Sequence, residues 1–194
     1  DGLSQDDAGV TVQVTDLVSG EAKSVRASYV VGCDGAGSRV RDQLDVQMHG
    51  RLLSYSINVL IRCPGLAHRH SMGEAERYLF VGPEGTWGNM TVVDGDGIWR
   101  LTVLGTGTKI DLSTFDAESA VRRAMGRDDI PFEVLSVIPW RRSEMLAERF
   151  SVGRVILAGD STHTMSPTGG MGMNTGMQEV LDLGWKLEAM LHGW

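Results

Sequence analysis

The stretch "GRVILAGDSTHTMSPTGGMGMNTGMQEVLDLGWKL" (residues 153–187) decides the fold. Val155, Ile156 and Leu157 form a short apolar run of the kind a buried strand uses. Ala158-Gly159 ends that run, and Asp160 places a carboxylate at its carboxyl end, where open α/β sheets bind ligands. A helical pattern, apolar on most sides, follows over 174–191 and is therefore expected to be buried. Pro167 pre-sets the connecting loop, and Gly169, Gly170 and Gly172 leave backbone N–H groups bare. Asn174 starts the helix, whose N-terminus favours negative charge. Alone, this is also what a glycine-rich connector with an N-cap Asn would look like.

A second corner follows the same logic. In "VVGCDGAGSRVR" (30–41) a buried strand ends at Gly32-Cys33, and Asp34-Gly35 makes a tight exit. Gly35 and Gly37 allow close backbone approach, and Ser38 is placed to cap a short helix beginning near Arg39. A plain strand–turn–helix corner is the simpler account of this stretch, because short glycine motifs are weak evidence. A connector reading has more difficulty with two strand–Asp–Gly corners bracketing the middle of one chain.

Between the corners the texture changes. Residues 9–16 alternate apolar and polar, with Val10, Val12 and Val14 on one face. With "SVRASYVVGCDG" they suggest a two-stranded ribbon that runs on into the buried strand. After Gly50, the stretches 52–63, 77–83, 86–94 and 97–105 are β-rich. Turn clusters at Pro83-Glu84-Gly85 and Asp94-Gly95-Asp96-Gly97 separate them, which predicts an antiparallel sheet. Residues 111–127 predict a helix capped by Ser113 or Asp116, and 132–140 another strand.

The fold class is therefore α/β with mixed α+β character: a partial, Rossmann-like nucleotide-binding domain with an inserted antiparallel sheet domain. The expected boundaries are 1–49, 50–142 and 143–194.

Composition narrows the function. A formal net charge of -7 argues against a nucleic-acid partner, which needs a clustered basic face. Arg122, Arg123 and Arg127 are expected to line a solvated helix face. No apolar run approaches the ~20 residues that span a bilayer, and no signal peptide opens the chain. Cys33 and Cys63 have no framework spacing, which fits a reducing, cytoplasmic setting. His68 and His70 lie in a polar loop and make a poor zinc site.

Taken together, "YVVGCDGAGSRVR" and "GRVILAGDSTHTMSPTGGMGMNTGMQEVLDLGWKL" resemble the DG and GD motifs of class A FAD-dependent aromatic hydroxylases with the p-hydroxybenzoate hydroxylase fold. The segment "MSPTGGMGMNTG" is most similar to the phenol and (hydroxyphenyl)propionate hydroxylase branch. The resemblance runs in order over essentially the whole chain. It implies an inserted sheet that binds substrate and outer segments that bind FAD. It also implies reduction by NADPH or NADH and transfer of oxygen from O₂, through a flavin hydroperoxide, to a small phenolic substrate.

By the same resemblance, Gly159 and Asp160 belong to the cofactor site, with Asp160 bonding a ribityl or ribose hydroxyl. Asp34 and Gly35 lie by the pyrophosphate groove. Gly169 opens the loop, and Gly170, Met171, Gly172, Met173 and Asn174 pass beside the isoalloxazine ring. Pro167 sits on its substrate side, the one position with a catalytic assignment, and His163 is mainly structural. Tyr55, Asn58, Trp87, Asn89, Trp99 and Trp140 are substrate-contact candidates by residue type.

Glu179 and Val180 replace a usual Asp and Ala, mild changes expected to touch packing near the flavin. The family's G-x-G-x-x-G turn has no counterpart; the glycines at 32, 35 and 37 have the wrong spacing. The chain is thus expected to be truncated at both ends and inactive alone. Val30, Val31, Val155 and Ile156 are expected to be exposed, and the chain to self-associate or to lack an N-terminal segment. Another flavoprotein of this fold (a reductase, epoxidase or halogenase) and an inactive self-associating fragment remain open.

Overall fold

The computed structural model describes residues 2–167 and 169–194. In chain order, the first elements are β1 (Gly2–Asp6), β2 (Gly9–Thr15), β3 (Ala22–Ala27), β4 (Val30–Gly32), α1 (Arg39–Gln43) and β5 (Met48–Arg62). Next come β6 (Arg77–Gly82), β7 (Gly85–Val92), β8 (Ile98–Leu104), α2 (Ala117–Met125) and β9 (Glu133–Ala147). The chain finishes with β10 (Ser151–Val152), β11 (Val155–Leu157), β12 (His163–Thr164) and α3 (Met171–Leu191). These divide into two compact units, Asp1–Arg51 with Ser143–Trp194, and Leu52–Arg142.

In the first unit, β1, β2 and β3 form an antiparallel three-stranded sheet in that order. The two-stranded ribbon read from sequence thus gains a strand, β1, whose polar residues carry no apolar alternation. Asp6 sets the β1–β2 turn: its Oδ1 accepts the amides of Ala8 at 2.8 Å and Gly9 at 3.0 Å, an Asx turn.

The ribbon also does not run on into the buried strand. The chain breaks at Ser28-Tyr29, and β4 joins a different sheet, ordered β10-β11-β4. Arg154 holds this corner. Its guanidinium donates to the carbonyls of Asp7 (2.6 Å) and Ser28 (3.3 Å) and lies 5.1 Å from the centre of the Tyr29 ring.

Strands β4 and β11 are parallel, with Val30 opposite Val155 and Gly32 opposite Leu157. Val155 is buried, not exposed as expected, because it alternates onto the same face of β11 as buried Leu157; Ile156 on the other face is half-buried and Val31 does remain open to solvent. Glycine at 32 is required by packing. A Cβ there would stand 2.8 Å from Val40 Cγ1 and 3.0 Å from Leu157 Cδ2, so α1 could not settle on the strand.

The larger sheet has the order β12-β9-β5-β8-β7-β6. Its strands follow the alternation in the sequence, although β9 runs well past residue 140. The Asp94 carboxylate organises the β7–β8 turn by accepting the amides of Asp96, Gly97 and Ile98 at 2.8–3.1 Å.

In the second unit, Ile57, Val59, Ile61, Met90, Trp99 and Leu101 bury one face of the sheet together with Val121 of α2. Asp116, of the two residues considered, caps α2 by accepting from the Ser119 amide at 3.0 Å. The preceding residues form a separate 3₁₀ turn, Leu112–Thr114. Cys63 joins this core and Cys33 is exposed.

Candidate nucleotide-binding site

The parallel pairing of β4 with β11 sends both strands out of the sheet at the same edge. Asp34 follows β4 by two residues, and Asp160 follows β11 by three, so the two Asp–Gly corners leave adjacent strand ends. This is the position at which open α/β sheets take ligands.

At the first corner, Ser38 caps α1 as expected, accepting from the Arg41 amide at 3.0 Å. The same hydroxyl donates to Asp34 Oδ1, while Asp34 Oδ2 accepts the Val40 amide at 3.1 Å. Burial works to raise the Asp34 carboxyl, but the Ser38 hydroxyl and nearby backbone amides outweigh it and hold the group below its ordinary range. Gly35 turns the chain with φ +83°, and nothing stands within 4 Å of where its Cβ would be.

Two residues that the sequence reading did not single out join the corners. Arg41 is 7% exposed, and its Nη1 donates to the carbonyls of Ala36 at 3.1 Å and Ser161 at 3.2 Å. Ser161 is fully buried, and its hydroxyl lies 2.7 Å from the Gly32 carbonyl oxygen. The available signal for Arg41 was a cation on a short helix between apolar positions, which must find acceptors if buried.

At the second corner a 3₁₀ turn, Gly159–Ser161, carries Asp160. Gly159 has φ +64°, and a Cβ on Gly176 of α3 would meet its Cα at 3.3 Å, so helix and turn touch through two glycines. The Asp160 carboxylate is exposed and accepts no hydrogen bond among the described residues.

Gly169 (φ +95°) and Gly170 (φ +67°) bring the loop to α3, which begins at Met171, three residues before the expected Asn174. Asn174 lies inside the helix, and its side chain donates to the Gly170 carbonyl at 2.9 Å. Among the described residues no side chain caps the helix, and the amides of Met171, Gly172 and Met173 find no partner there. Pro167 borders this loop.

Nor is α3 buried. None of its residues is buried, and Met173, Leu181 and Trp185 are at least 60% exposed. Its apolar pattern demands a covering layer, and its most extensive contact among the described residues is with the Gly159–Ser161 turn.

A family model described as "FAD binding domain" matches residues 1–194. The chain belongs to that family. This FAD-binding-domain protein is 32% identical, over 99% of its length, to the 2,4-dichlorophenol 6-monooxygenase of Cupriavidus pinatubonensis. It is 37% identical, over its full length, to the rifampicin monooxygenase of Streptomyces venezuelae. It covers 33% and 40% of those proteins, so it spans little more than a third of the curated relatives' length.

Among solved structures, the rebeccamycin biosynthetic enzyme RebC with reduced flavin matches the whole chain with a TM-score of 0.88 at 39% identity, over 36% of its own length. Aklavinone-11 hydroxylase with FAD and aklavinone matches 98% of it, over 37% of its own length, at a TM-score of 0.82 and 28% identity. The mixed α/β architecture is thus that of FAD-binding monooxygenases.

The residues present suit a flavin nucleotide. Open N–H groups at the start of a 21-residue helix match a delocalised negative charge. A Cβ built at Gly35, Gly37, Gly159, Gly170 or Gly172 would meet nothing within 4 Å, leaving backbone surface on which a planar ring or a phosphate could rest. An unpartnered carboxylate at Asp160 matches a hydroxyl donor.

The substrate-contact candidates separate. Trp99 is 1% exposed in the core of the second unit, where its size and full burial make it a packing residue. Trp87 stacks on Phe80 at 5.0 Å and lies under the guanidinium of Arg123, 4.2 Å away, while Arg123 itself stays exposed on the face of α2.

Asn58, Thr102 and Asn89 lie opposite one another on β5, β8 and β7, facing away from the Val59–Leu101–Met90 core row. Thr102 donates to Asn58 Oδ1 at 2.7 Å. Tyr55 is half-buried and Trp140 is exposed. Among the described residues no group of three or more His, Cys, Asp and Glu is arranged for a metal, and no helix is long and apolar enough to cross a membrane.

Proposed function

We propose that this chain forms the flavin-facing and substrate-facing part of an FAD-dependent monooxygenase that hydroxylates a small aromatic, phenolic compound. The observation that carries this reading is the parallel β4–β11 pair, which sets the Asp34 and Asp160 corners side by side at one sheet edge. The outer segments, 1–49 and 143–194, take the FAD-binding role, and 50–142 the substrate role.

In this reading Asp160 accepts a hydrogen bond from a ribityl or ribose hydroxyl, with Gly159 giving the turn its shape. Asp34 and Gly35 border the pyrophosphate. Gly169, Gly170, Met171, Gly172, Met173 and Asn174 carry the backbone past the flavin ring, and the open amides stabilise negative charge on its pyrimidine edge. Pro167 lies toward the substrate. Bound FAD would supply the redox chemistry, taking a hydride from NADH or NADPH and activating O₂. The polar row Asn58–Thr102–Asn89 offers hydrogen bonds to an oxygenated aromatic ring.

The balance is one NAD(P)H, one proton, one O₂ and one phenol consumed, with NAD(P)⁺, water and the ring-hydroxylated product formed. The test is NAD(P)H oxidation by the chain, and by any longer protein that carries it, with FAD added. Oxidation that depends on a phenol and yields product one oxygen heavier supports the reading. Oxidation without oxygen transfer supports a reductase of the same fold.

The open apolar surface of α3 favours a further property, association with a second copy or with another polypeptide segment that covers it. Light scattering across a concentration series tests this: a mass fixed at that of the monomer would remove self-association.

A further inference from the structure

Glu179 is the only acidic residue between Asp160 and Asp182. Its carboxylate is bonded on both oxygens, to two different elements. Oε2 accepts the Gly159 amide at 3.0 Å, and Oε1 lies 2.7 Å from His163 Nε2. His163 is 5% exposed and sits on β12, opposite Leu146 of β9. Its other ring nitrogen, Nδ1, is buried and has no partner among the described residues.

We propose that Glu179 is a positioning residue. From α3 its carboxylate fixes the turn that presents Asp160 and holds the His163 imidazole in the tautomer protonated at Nε2. The logic lies in the donor count. A carboxylate only accepts, so both groups facing it must be N–H donors: the Gly159 amide is one, and Nε2 must be the other. That leaves Nδ1 as the bare nitrogen, consistent with its having no partner.

The Gly176–Gly159 contact sets how near α3 comes to the turn, and the Glu179–Gly159 hydrogen bond sets the turn's orientation. The longer side chain that seemed a mild change in packing is therefore a bonded clamp across three elements.

Glutamine at 179 keeps the shape but offers one acceptor and one donor. With its oxygen on the Gly159 amide, its NH₂ would face Nε2. The ring would then have to move its proton to Nδ1, where no acceptor waits. A Glu179 that served only for packing would tolerate glutamine.

The test is long-range ¹H–¹⁵N NMR of the His163 ring, with hydrogen exchange at the Gly159 amide, in wild-type, E179Q and E179A chains. The wild-type ring should be protonated at Nε2, and E179Q should shift the proton toward Nδ1. Gly159 exchange should accelerate roughly tenfold or more in E179A, the factor expected for a lost carboxylate hydrogen bond. An Nδ1-protonated wild-type ring, or a ring and amide unchanged in E179Q and E179A, would overturn the proposal.

The link to the cofactor rests on the flavin reading above. FAD affinity should fall in E179A and recover partly in E179Q. If wild-type chain binds no FAD while the ring and amide behave as stated, the clamp stands and the flavin reading falls.

Discussion

Arg41 Nη1 donates to the Ser161 carbonyl oxygen at 3.2 Å, joining residues 120 positions apart. Because the same nitrogen also donates to Ala36, one guanidinium fixes both Asp–Gly corners.

Replacing Arg41 by Ala should destabilise the chain by about 2–4 kcal/mol, since two carbonyls lose charge-assisted partners, the Ser161 one in a buried position. Lysine should recover part of this but cannot match the fork of the guanidinium. Urea denaturation of the three proteins checks it; an unchanged midpoint in R41A would contradict the role.

Gly50 and Gly35 should respond differently to Ala. A Cβ at Gly50 would stand 2.0 Å from the Glu144 carbonyl oxygen, so β5 and β9 would have to separate, at a cost of about 3 kcal/mol or more. Gly35 has φ +83° and open space, so Ala there meets only backbone strain, about 1–2 kcal/mol. Thermal unfolding of the two variants should therefore rank G50A well below G35A.

Trp99 is offered by its residue type as a substrate contact and by its position as core. W99A should cost about 3–5 kcal/mol, as for other large core aromatics. At temperatures where it remains folded, it should leave ligand affinities unchanged. Phenylalanine should be much milder, because the indole N–H has no partner to lose among the described residues. Loss of phenol binding in a folded W99F would argue against the core assignment.

The corners were legible in the sequence because strand, glycine and carboxylate follow one another locally. The residues that join them were not. Arg41, Ser161 and Glu179 act across the fold, and only the pairing of β4 with β11 and the seat of α3 bring their partners within reach. Strand β1 escaped because its residues are polar and it is held by backbone pairing to β2. The burial expected of α3 failed for a different reason: its pattern reports what the helix needs, and this chain holds no layer that covers it.

Acid should loosen the β1–β2–β3 sheet through Asp6. The Arg26 guanidinium, then the Ala8 amide, holds the Asp6 carboxyl at about 2, down from an ordinary 3.8. A carboxyl lowered by folding contributes stability that is present above its unfolded value and is lost as pH falls through the folded one. The contribution should therefore fade between about pH 4 and pH 2. D6N should be less stable than wild type at neutral pH and should show a weaker acid dependence in that window. NMR titration of the carboxyl gives the direct check.

In the proposed function the Asp160 corner and the start of α3 form a flavin site. The most direct measurement is a titration of the 194-residue chain with FAD, following flavin fluorescence and absorbance, beside D160A. Saturable binding by wild type, weakened roughly tenfold or more in D160A by the loss of a carboxylate hydrogen bond, is the predicted result. Equal binding by both proteins would remove Asp160 from the site, and the absence of binding by this chain and by a longer protein containing it would contradict the flavin reading itself.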